Sequence, residues 1–131
     1  FENSNDEKVK EEISKVLKEL KISGAIDPII DQLDSVNEEI RVLALSSIWS
    51  SGLNPNDFLD EIIHTAIKGS FMEAFEALTI IENVEPPFDE EVILNSQILL
   101  KEYFGENPQE DKTDFLRSIT GIINQINAAL Q

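Results

Sequence analysis

Cysteine is absent from the 131-residue chain, which excludes disulfide staples, thiol nucleophiles and thiolate metal or cluster sites. That absence leaves the redox compartment open. Histidine occurs once, at His64, so no pair of imidazoles can seat a metal. No apolar run approaches the ~20 residues needed to cross a bilayer, and no membrane span is expected. The five glycines are scattered, so there is no Gly-rich phosphate loop, and no Asp-x-Asp-x-Asp-Gly calcium loop occurs. Sustained strand alternation is missing too.

Basic residues are scarce. Ten Lys and Arg stand against 26 Asp and Glu, a net charge of −16. Five of the ten, Lys8, Lys10, Lys15, Lys18 and Lys21, lie in the first helical pattern; the chain up to Glu19 holds six acids, and from Ile22 onward 20 acids face five bases. An acidic body repels phosphate backbones and anionic lipid headgroups, so nucleic-acid and membrane-surface binding are disfavoured. The plain reading of the charge is a solvated surface. The sharper one is docking of a basic protein partner. The opening Phe-Glu-Asn-Ser-Asn-Asp has neither Met nor the basic-then-apolar order of a secretory signal. Cytoplasmic residence is the expectation, one that a preceding segment would change.

What is present is helix punctuation. At this length a single domain is expected, and the signals divide it into about seven helices. The first runs from about Asp6 to Ile22, with Val9, Ile13, Val16, Leu17 and Leu20 on one stripe, and reads as an end cap. Asp27-Pro28 starts a short helix, with Asp as N-cap and Pro at the first helical position. Asn37 caps a helix from Glu38 to about Ser51 that is apolar nearly all round and so expected to be central. Asn54-Pro55 starts a fourth helix, closed by Gly69. Ser70-Phe71-Met72-Glu73 reads as a capping box opening a fifth. Asp89 caps a sixth, ended by Gly105, and a last runs from about Thr113 or Asp114 to Leu130.

Pro28–Ser50 laid over Glu61–Asn83 gives a faint echo at a period of 33. Ile29, Ile30, Ala44, Leu45 and Ile48 meet Ile62, Ile63, Ala77, Leu78 and Ile81. A period in the thirties with two helices per unit predicts stacked helix pairs. The expected organisation is a cap over residues 1–24 and units over 27–52, 54–85 and 88–131. The string from Leu33 to Ile48 resembles a HEAT repeat: Leu33, Asn37, Ile40-Arg41, Ala44 and Ile48 take the family's places, with Ser35 for the usual turn aspartate. The second copy has Glu73-Ala74 where Ile-Arg would stand, and the third keeps only the architecture. The resemblance implies an all-α fold of antiparallel helix pairs in a short superhelix, and protein recognition along the second helices without chemistry of its own. A compact helical bundle is the alternative fold.

Chemistry-bearing groupings are few. His64 shares a helix face with Asp60 one turn earlier, an arrangement that can orient an imidazole or hold a metal. With no second histidine or nucleophile, a solvated helix-face histidine is the simpler reading. The carboxylate clusters sit mostly at helix N-termini, where the helix dipole favours them. Catalytic, cofactor-binding and metal-binding residues are therefore expected to be none. Trp49, Phe71, Met72 and Phe75 could line an apolar groove or be ordinary core. Glu39, Arg41, Glu73, Glu76, Trp49, Phe71 and Met72 are the candidate partner-binding residues. The function expected is a non-catalytic interaction or scaffolding module, with docking of a basic partner as its sharper form. An oligomerisation domain is the alternative, ahead of an enzyme fragment or a metal-binding regulatory domain. Oligomeric state is left open.

Overall fold

The computed structural model describes Glu11, Lys15 and residues 26–130. Most of the expected N-terminal cap helix, with its apolar stripe, lies outside the described residues. Among the described residues the fold is all-α. It comprises α1 (Asp27–Asp31), extended by a 3-10 turn over Gln32–Asp34, α2 (Glu38–Ser50), α3 (Leu59–Lys68), α4 (Phe71–Glu82), α5 (Glu90–Gly105) and α6 (Thr113–Leu130).

Local chemistry sets most of these boundaries. The Asn37 side chain accepts from the Glu39 N–H at 2.9 Å and Asp89 from Glu91 at 2.8 Å, each satisfying one orphan donor of a helix start. Gly52, just past α2, has φ +67, a left-handed conformation that suits glycine. Two starts differ from the sequence reading. Asp27 is the first residue of α1, and the cap position is Ile26, whose carbonyl accepts from Ile29 and Ile30. Asn54 does accept from the Asn56 N–H, but the turn it opens is 3-10 over Asn56–Phe58, and α3 begins only at Leu59.

The helices form two layers. In one, α4 lies between α2 and α6; in the other, α3 packs beside α5; α3 on α4 and α5 on α6 join the layers. The core between them is aliphatic: Leu45, Ile48, Ile62, Ile63, Ile81, Ile93, Leu116, Ile119 and Ile123 are wholly or almost wholly buried. Both members of the echoed pairs Ile29/Ile62 and Ala44/Ala77 are fully buried. Of the echoed pair Leu45/Leu78, Leu45 is fully buried and Leu78 only partly so.

Polar side chains fasten the stack at one corner. The Glu73 carboxylate is fully buried; one oxygen accepts from Arg41 Nε and the other from the Ser70 N–H. The Ser70 hydroxyl accepts from the Glu73 N–H at 3.3 Å, completing the expected capping box. Arg41 also donates to the Ser35 carbonyl at 2.7 Å. Gly69 is required beside this group, because a Cβ there would fall inside the Glu73 carboxylate. From the loop before α6, buried Lys112 donates to the carbonyls of Ala66 (3.1 Å), Ile67 (2.6 Å) and Gly69 (2.6 Å), closing the end of α3.

Removing one partner from a buried ion pair strands the other charge. Arg41→Ala should therefore lower unfolding free energy by about 3 kcal/mol. In urea denaturation, Arg41→Met combined with Glu73→Leu should recover much of that loss. Additive losses in the two single variants and the double would contradict the coupling.

Candidate functional site

Among the described residues a cleft of about 740 Å³ follows the outer face of α3. Its floor is the polar stripe of that helix, Asp60, Glu61, His64 and Lys68, at helical spacings of three and four. One wall comes from α1 and its 3-10 extension, with Leu33 and Asp34; the other from α5, with Asn95, Ile98, Leu99 and Glu102. Where α3 ends, Gly69, Arg41 and Glu73 line it. The charges of that last pair are spent on each other, and the remaining rim is mostly acidic.

Among the described residues, Asp34, Asp60, Glu61 and Glu102 have no ion-pair partner. Asp60 accepts a long hydrogen bond from Asn95 (3.4 Å). The Glu61 carboxyl is held above its ordinary value by partial burial first, then by the negative charges of Asp60, Asp34 and Asp31. Apolar surface stands beside these acids. Ile98 is 47% exposed on the lip, and Leu94, one turn earlier on α5, is 55% exposed.

The sequence-predicted residues divide between this cleft and the opposite layer. Arg41 and Glu73 meet at the cleft's end, but Glu73 is buried and bound from two sides, so its carboxylate does not face a partner. Glu76 is also buried and accepts from the Trp49 indole N–H at 2.6 Å. Glu39 is exposed in the first turn of α2. Trp49, Phe71, Met72 and Phe75 are each a little under half exposed. They therefore sit at the surface of the layer of second helices, not deep in the core. The rings of Phe71 and Phe75 lie 4.9 and 5.8 Å from that of Phe115.

Sequence reading missed the α5 wall. A signal was available. Ile93, Ser96 and Leu100 make the buried stripe of α5, and Leu94 and Ile98 are a second apolar pair, four apart, that this stripe cannot absorb. Asp34 and Asp31 gave no signal, since they reach Glu61 only through tertiary packing. His64 is exposed in the cleft floor. Among the described residues no group of three or more His, Cys, Asp or Glu is placed to hold a metal ion, and no helix is long and apolar enough to cross a membrane.

The raised Glu61 carboxyl has a pH signature. A carboxyl whose folded pKa exceeds its unfolded value makes the native state bind more protons between the two values, so stability falls as pH rises through that window. The penalty is complete above the folded pKa and gone below the unfolded one. The facing titratable groups are Asp31 from α1, Asp34 from its 3-10 extension, Asp60, His64 and Lys68 from α3, and Glu102 from α5. Glu61→Gln should raise the urea midpoint at pH 7, and the gain should disappear as pH falls below about 4. A gain independent of pH would remove the electrostatic cause.

The chain matches no protein-family model, no curated protein and no solved structure, and a functional reading therefore rests on the cleft and its chemistry.

Proposed function

We propose that the protein is a non-catalytic interaction module whose acid-rimmed cleft docks a basic protein partner. The observation that carries this is the meeting of Asp34, Asp60, Glu61 and Glu102, carboxylates without an ion-pair partner among the described residues, with exposed apolar Ile98 in one concave surface. An interface needs apolar contact area as well as charge complementarity to gain both affinity and partner selection. A merely solvated acidic face has no need of Ile98. The Arg41–Glu73 pair, the interlayer packing and the echoed core positions support taking the architecture as a HEAT-like stack. On that reading the recognition surface is the first-helix side, not the second-helix side that the resemblance implied.

The test uses a poly-lysine probe of about 20 residues, whose binding should weaken steeply with salt. Asp60→Lys and Glu61→Lys should each reduce affinity about tenfold, a loss of about 1.4 kcal/mol. Glu82→Lys, exposed at the far end of α4, should have little effect. Equal losses from all three would mean that net charge, not the cleft, attracts the probe, and would end this reading.

A second reading, self-association, is supported by the half-exposed Trp49, Phe71, Met72 and Phe75 on one surface. It requires a dimer in sedimentation equilibrium that Phe71→Glu dissociates.

A further inference from the structure

Resting on the reading of an acid-rimmed docking cleft, we infer that its occupant is an amphipathic, lysine- or arginine-bearing α-helix of a partner protein. The cleft suits that shape. It is a trough with one helix as floor and others as walls. Its floor, α3, has 10 residues, or about 15 Å of helix axis, enough to lie beside about three turns of a second helix. A helix laid along the trough places side chains three and four apart against Ile98 and Leu99, the apolar members of the α5 wall. Leu94 extends that apolar row by one turn. Flanking positions of the same helix then bring cations over Asp34 on one wall and Asp60 and Glu61 on the floor.

The other common modes of segment recognition fit poorly. Strand addition needs an exposed sheet edge, and the described residues contain no strand. Polyproline recognition needs a groove lined by Trp, Tyr or Phe, and none of these lines this cleft. Phosphate or acidic-motif capture needs a cluster of free arginines; the arginine here is already bound to Glu73. A helix seated by an apolar stripe remains, and the charge of the trough selects a cationic one. Cations over Glu61 would also relieve the mutual repulsion of Asp31, Asp34, Asp60 and Glu61.

The experiment titrates the full chain with two labelled synthetic peptides of about 18 residues. Both have the same leucines and lysines. In one, leucines recur at spacings of three and four with lysines on either side; in the other, the order is permuted so that no apolar face exists. The ordered peptide should bind at least about tenfold more tightly than the permuted one and gain helical circular dichroism on binding. Ile98→Asp and Glu61→Lys should each weaken it about tenfold, while Met72→Asp on the other layer should not. Ile98 and Glu61 are exposed, and thermal melts of each variant establish that it folds. Equal affinity for the two peptides would overturn the helix inference while leaving the basic-partner reading intact. Failure of both peptides and of poly-lysine to bind would remove both. Loss of binding in Met72→Asp alone would move the site to the aromatic surface. A chain that sediments as a dimer, dissociated by Ile98→Asp, would assign the cleft to a second copy; either result overturns the proposal.

Discussion

The Glu73 carboxylate is an ionised group with no solvent exposure, and such a group is tolerable only when its lone pairs are filled. Arg41 comes from α2, Ser70 from the start of α4, and both bonds require Gly69 to leave room. Lys112 then uses the Gly69 carbonyl, together with those of Ala66 and Ile67, to tie the segment before α6 to the same corner. Three successive helix pairs thus meet at one five-residue turn. Interdigitated aliphatic faces restrict sliding of helix on helix, and directional bonds to a buried charge restrict it further. The register of these helices is therefore held by this corner together with the aliphatic core around it.

That corner also divides the charge of the cleft. At the end of α3, Arg41 and Glu73 neutralise each other, and Lys68 adds a positive charge nearby. At the start of α3, Asp60 and Glu61 face Asp31 and Asp34 with no cation among the described residues to balance them. The molecule therefore uses its scarce arginine for fastening and leaves the carboxylates of the adjoining surface open. A net charge of −16 is a property of the whole chain. Its chemical consequence is concentrated where packing gathers the acids and removes part of their water.

Much of the fold was legible because its signals are local. Asn37 and Asp89 cap the helices expected of them, Ser70 and Glu73 close a box within four residues, and Gly52 takes the conformation that glycine makes easy. The site was less legible because its decisive relations are distant in sequence. Glu73 reads as a first-turn acid, as it is, but its second partner lies 32 residues earlier. Lys112 sits in a polar loop and reads as solvated; its burial depends on carbonyls more than 40 residues away. Trp49 and Glu76 were each assigned to a partner, whereas the indole and carboxylate satisfy one another. Leu94 and Ile98 lie outside the buried stripe of α5, Ile93, Ser96 and Leu100, and which neighbour they stand beside depends on tertiary packing.

The polar stripe of α3 helps explain why the trough stays open. A stack gains by bringing α1 and α5 closer over α3, since that buries more apolar wall. Asp60 and Glu61 oppose such closure, because each would lose water while facing other carboxylates rather than cations. Partial burial already raises the Glu61 carboxyl, so the cost has begun to appear in the open form. The cleft is wedged by its own charge. A cationic surface entering it removes the repulsion and lets the Ile98 wall become buried. Those acids disfavour closure of the empty cleft and favour its occupation by opposite charge.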